Sequence, residues 1–85
     1  MTPNELRPAV LRALHRVAPE ADLNSLDPRA DLRDALDIDS IGILEFATGI
    51  HKETGIDVPE RDYPRIVHLD DCIEYLTAAL SAGRT

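Results

Sequence analysis

Among 85 residues, the nucleophile best placed for chemistry is Ser40. It follows Asp37-Ile38-Asp39 and precedes Ile41-Gly42-Ile43-Leu44-Glu45-Phe46, where an acidic loop turns into an apolar-periodic stretch. A hydroxyl at a helix start is exposed, near backbone N–H groups without intrahelical partners, and on the positive end of the dipole. That position stabilises the negative charge of a phosphate ester. It is equally the position of an ordinary serine cap. The dipeptide Asp39-Ser40 alone does not separate the two readings.

Other residue types capable of chemistry fall short on spacing. Asp37, Asp39 and Gly42 occupy positions 1, 3 and 6 of an EF-hand loop, but position 5 is Ile41 and position 12 is Thr48. Two ligands are therefore missing, and a specific calcium site is not expected; loose divalent binding to the acidic loop is. His15, His51 and His68 do not combine with Ser40 into a Gly-x-Ser-x-Gly hydrolase turn. One Cys and three scattered His lack the spacing of zinc ligands. Cys72 falls on an apolar helical face and reads as core. His51 reads as a surface residue, and His68 as the start of a helix.

These residues need elements to hold them. Leu6, Val10, Ala13, Leu14 and Val17 recur at offsets of 4, 7, 8 and 11, a helical pattern. Thr2-Pro3-Asn4-Glu5 has the form of a capping box. Pro8 favours a start near Asn4, which puts it in the first turn, where N–H groups lack intrahelical partners anyway. Ala18-Pro19 ends the helix. Residues 18–39 form a long connection in which Leu23, Leu26, Leu32 and Leu36 pin the loop to the core, with one short helical turn near Asp31–Leu36.

A second helix runs from about Ser40 to Thr54 and stops at Gly55. Ile43, Phe46, Ala47, Ile50 and Thr54 share its core face. Ile41 and Leu44 lie to one side, beside Glu45, Thr48 and Lys52, and suggest a docking surface. After the extended link Ile56-Asp57-Val58-Pro59, Glu60–Tyr63 makes one turn, cut short by Pro64. Leu69, Cys72, Ile73, Leu76 and Leu80 mark a last helix, with Asp70 and Asp71 in its first turn. Residues 81–85 should fray. The expected fold is all-α: a small bundle of three long helices and one short one, a single domain over residues 1–85 with a core spanning about 4–80.

Composition agrees. Leu, Ile, Val and Ala supply the apolar content, while Phe46, Tyr63 and Tyr75 are the only aromatics. Net charge is −7, and residues 19–62 hold twelve acids against four bases. Such a surface repels nucleic acid and attracts basic protein patches. The chain offers no bilayer-spanning run and no secretory signal, so no membrane insertion is expected. A lone Cys72 fits a reducing, cytoplasmic setting.

The layout resembles the acyl carrier proteins over roughly residues 4–80. Asp39-Ser40-Ile41 stands where that family has Asp-Ser-Leu, Glu45 matches an acidic position of its recognition helix, and Gly55-Ile56-Asp57-Val58-Pro59 matches its Gly-x-x-Ile-Pro segment. Ile66 and Leu69 match apolar positions leading into the last helix. The resemblance implies a non-catalytic phosphoprotein. Ser40 would bear a 4′-phosphopantetheine arm donated from coenzyme A by a phosphopantetheinyl transferase, with an acyl group carried as a thioester. Asp39 would cap the helix and contact the transferase. Ile41, Leu44, Glu45 and Thr48 would meet partners, an acyl-loading ligase or synthase and acyl-transfer enzymes with basic docking surfaces. The carrier is expected to act as a monomer in fatty-acid, lipid or secondary-metabolite biosynthesis.

The chain departs from the common pattern. His51 and Lys52 dilute the acidic recognition helix, Gly42 and Gly49 interrupt it, and Thr54 replaces a common aromatic. These differences suit a specialised stand-alone carrier. A peptidyl or aminoacyl carrier, and a non-carrier acidic helical interaction module, are the alternative readings.

Overall fold

The computed structural model describes residues 1–83. The apolar spacings become the buried stripes of three long helices: α1 (Pro3–Val17), α3 (Ser40–Thr54) and α4 (Leu69–Ser81). A four-residue helix, α2 (Leu32–Ala35), and two 3₁₀ turns, Leu23–Ser25 and Glu60–Arg65, lie in the connections. The fold is all-α. Among the described residues the only β pairing is an isolated bridge between Asp31 and His68.

Helix α1 starts at Pro3, one residue earlier than the proline argument favoured. The Glu5 carboxylate accepts from both the backbone N–H and the hydroxyl of Thr2, each at 3.0 Å. That local tie, with Pro3 preset at the first helical position, fixes the start. Pro8 lies inside the helix rather than in its first turn, and is exposed.

Helices α1 and α3 form the most extensive pairing in the molecule. Gly49 makes the close approach possible: a Cβ there would stand 3.1 Å from the Cβ of Ala13 and 3.4 Å from its Cα. Glu53, near the end of α3, ties the same two helices at the surface. It accepts from Arg12 and, at 2.9 Å, from Arg16. Phe46 and Ile50 on α3, with Leu6, Val10 and Leu14 on α1, are fully buried between them. Thr54, expected on the core face, is only half-buried. Its hydroxyl donates to the Ile50 carbonyl at 2.7 Å and accepts from the Ile56 N–H at 3.1 Å, which finishes the helix polar rather than apolar. Gly55 then takes φ 76°, the left-handed cap.

The long connection is held by backbone bonds as well as leucines. Leu32 is buried, and its N–H donates to the Val67 carbonyl at 2.7 Å. Leu23, Leu26 and Leu36 pack half-buried on the core. Helix α2 ends with Asp37 at φ 53° and an Ile38 N–H that reaches back to the Arg33 carbonyl at 3.0 Å. That left-handed turn is a Schellman-type stop, which Asp tolerates better than most non-glycine residues.

The turn after Pro59 runs to Arg65 rather than stopping at Tyr63. A short 3₁₀ segment absorbs Pro64 because it demands few bonds. In α4 the buried face is Leu69, Cys72, Tyr75, Leu76 and Ala79, while Ile73 and Leu80 are half-buried. Ile73 and Leu80 still pack against the core, and Tyr75 joins it: its ring is buried while its hydroxyl donates to Asp62 at 2.7 Å. The Arg65 guanidinium lies 4.8 Å from the centre of that ring. Of the tail expected to fray, Ser81 is helical and Ala82 caps the helix. Arg84 and Thr85 lie outside the described residues.

Candidate functional site at the start of α3

The backbone of Asp39 is extended (φ −103°, ψ −168°), and its carboxylate accepts from the Gly42 N–H at 3.0 Å. Asp39 is therefore the residue that caps α3. Ser40 is the first helical residue and is exposed, and among the described residues its hydroxyl has no hydrogen-bond partner. The ambiguity between a capping serine and a free hydroxyl is thus resolved by the neighbouring aspartate. Gly42 belongs to the same construction. A Cβ there would stand 2.8 Å from the Cβ of Ile38, so only glycine lets the residue before the cap fold over the first turn.

Two clefts lie at the start of α3, and Ser40 lines one of them. One, of about 150 Å³, is lined by Arg33, Ser40, Ile43, Tyr63, Pro64 and Val67. It is an apolar slot with one cation at its edge. The other is a wide open groove that includes Asp37, Asp39, Ile41 and Glu45, and is acidic. Arg33 is held by Asp31 through two bonds, Nε to Oδ1 at 3.0 Å and Nη2 to Oδ2 at 2.7 Å. The guanidinium, together with the Arg33 backbone N–H, holds the Asp31 carboxyl down at about 2.

The expected partner residues are all on the surface. Ile41 is 63% exposed and Leu44 50% exposed, the two most exposed large hydrophobic side chains among the described residues. Glu45 and Thr48 are exposed beside them. The Thr48 hydroxyl donates to the Leu44 carbonyl at 3.0 Å, so its polar end is engaged with its own helix. His51 and Lys52 are exposed at the far end of the same face.

The remaining candidates are not among the residues that line the cleft with Ser40. His15 and His51 are exposed, and His68 precedes α4 with Nδ1 3.6 Å from Asp71. Among the described residues no group of three or more His, Cys, Asp or Glu could hold a metal ion. Cys72 is buried, and loss of solvent pushes its thiol up to about 12, which makes it inert at neutral pH. No described helix is long and apolar enough to cross a membrane. Sequence reasoning missed Arg33. Its signal was weak but present: an Asp-x-Arg pair, Asp31 and Arg33, in the turn just ahead of the serine motif.

A family model described as a phosphopantetheine attachment site matches residues 5–76, which takes in most of α1, all of α2 and α3, and most of α4. No curated protein matches the chain.

Proposed function

The chain belongs to the phosphopantetheine attachment site family, and we propose that it is an acyl carrier protein whose arm is attached at Ser40. Domains of this family carry 4′-phosphopantetheine covalently and are in general not catalytic. The group supplies a thiol at the end of a flexible tether, on which an acyl group rides as a thioester. One observation carries the choice of residue. Asp39 caps α3 and leaves the Ser40 hydroxyl exposed and uncommitted at the positive end of a 15-residue helix.

The surroundings fit the group. In transfer from coenzyme A the Ser40 oxygen bonds to the phosphorus on the pantetheine side of the pyrophosphate, and the bridging P–O bond breaks. Adenosine 3′,5′-bisphosphate and the hydroxyl proton leave; the product is a phosphodiester, whose charge the helix start favours. Asp39 keeps that start fixed and presents a carboxylate to a transferase. Ile41 and Leu44 offer apolar contact to partner enzymes, and Glu45 with the acidic loop meets basic rims, which raises encounter rate and selectivity. Ligases or synthases that load the arm, and acyl-transfer enzymes that unload it, are the partners of this reading. A monomeric carrier in the cytoplasm, serving fatty-acid, lipid or secondary-metabolite synthesis, is its biological setting. His51 and Lys52 on the partner-facing helix favour a dedicated enzyme over a general one.

Loading tests the proposal directly. Incubated with coenzyme A and a broad-range phosphopantetheinyl transferase, the protein should gain the mass of one arm. Ser40→Ala should gain none and keep its stability to within about 0.5 kcal/mol, because an exposed hydroxyl without partners is lost. A wild-type protein that stays unmodified while a control carrier loads leaves a non-carrier interaction module as the better reading.

A further inference from the structure

We propose that Arg33 is a positioning residue that binds the phosphodiester formed on Ser40, giving up Asp31 to do so; this rests on Ser40 being the attachment residue. Arg33 and Ser40 line the same 150 Å³ cleft, and Arg33 is the only charged side chain among its described lining residues. A separate groove, which Ser40 does not line, includes Asp37, Asp39 and Glu45. Modification therefore adds an anion to a segment already crowded with anions, and the cation in the cleft that Ser40 lines is Arg33.

The geometry allows the exchange. The Arg33 side chain is 53% exposed, long, and tied down only by Asp31. Guanidinium binds a phosphate through the same pair of parallel N–H bonds that it makes to a carboxylate. Asp31 is not stranded when the guanidinium leaves. Its Oδ1 still accepts from the Arg33 backbone N–H at 2.9 Å, the cap of α2. The Schellman-type stop at Asp37 and the Ile38 bond to the Arg33 carbonyl fix the backbone of Arg33 relative to the start of α3. Held this way, the phosphate end of the arm is directed toward the apolar slot formed by Ile43, Tyr63, Pro64 and Val67 rather than into the acidic groove.

The test compares unloaded and loaded protein by NMR, with loading confirmed first by intact mass. On loading, the Arg33 Nε–Hε resonance should shift. The Asp31 carboxyl titration should move up from about 2 toward the ordinary carboxylate range as its guanidinium partner departs. The phosphorus resonance of loaded Arg33→Gln should be narrower than that of the loaded wild type, and Arg33→Lys should fall between them. Confirmed loading with an unmoved Arg33 resonance and an unchanged Asp31 titration overturns the proposal while leaving Ser40 as the attachment residue. Absence of loading removes both. The wild-type comparison decides the matter even where Arg33→Gln folds poorly.

Discussion

Ile41 and Ile43 are two positions apart on α3 and chemically identical, yet their surroundings assign them opposite roles. Ile43 is 4% exposed and belongs to the core, whereas Ile41 is 63% exposed. Truncating Ile43 to Ala removes buried methyl groups and leaves a cavity, at a cost of about 2–5 kcal/mol. Truncating Ile41 removes atoms that already face water, and Ile41→Ala should change stability by less than about 0.5 kcal/mol. Urea unfolding of the two variants, read at constant slope, measures the contrast. The same Ile41→Ala should weaken acyl transfer to or from a cognate enzyme. A loss of several kcal/mol for Ile41→Ala would place this residue in the core and remove it from the docking face. This division was legible in the sequence, because a helix rotates by a fixed angle per residue and residue 41 falls well off the stripe of Ile43, Phe46, Ala47 and Ile50. The free state of the Ser40 hydroxyl was not. It depends on which of two adjacent polar side chains captures the Gly42 N–H, and local sequence permits either.

At the scale of elements, glycine inside α3 looked like a weakness and is a packing device. Each helical glycine costs about 1 kcal/mol relative to Ala in propensity. At Gly49 that cost is offset by the crossing with α1, where even a Cβ would press on Ala13 at 3.1 Å. Gly49→Val should therefore destabilise the protein by about 1–3 kcal/mol through overpacking, despite removing a glycine. The urea midpoint checks it, and a stabilised variant would show that the two helices separate easily. Periodicity located all three long helices, the short turn at α2 and the loop leucines, since these follow from which residues repel water. It did not include Tyr75 on the core face of α4; the burial of Tyr75 is accompanied by a distant partner, Asp62, for its hydroxyl. It also stopped the Glu60–Arg65 turn too early, because proline forbids an α-helical bond but not a short 3₁₀ segment. Tertiary partners such as Asp62 for Tyr75, Ala13 for Gly49, and Arg12 and Arg16 for Glu53 leave no periodic trace.

For the whole molecule, an acidic chain of net charge −7 relies on a few carboxylates held by specific donors. Glu53 sits below its usual range because Arg12, then Arg16, favours its charged form. Glu5 is lowered by its bonds to Thr2, and Asp31 is lowered to about 2 by Arg33. In each case the folded-state value lies beneath the unfolded one. The unfolded chain therefore binds protons first as pH falls, and the stability these groups contribute is present above the unfolded value and lost on acidification through the folded one. The window opens near 4.5 for the two glutamates and spans 3.8 down to about 2 for Asp31. Self-repulsion works the other way, easing as pH approaches the isoelectric point near 4.7. Stability should thus hold or rise slightly from neutral pH toward 5, then fall through the window below 4.5. Glu53→Gln removes the one carboxylate that joins α1 to α3, so its acid limb should be shallower than the wild type's, starting from a lower plateau at pH 7. Thermal or urea unfolding across pH 2.5 to 7 measures both limbs. Parallel acid limbs for the two proteins would mean that Glu53 holds the helices by packing alone, and that its pairing with Arg12 and Arg16 adds nothing to the fold.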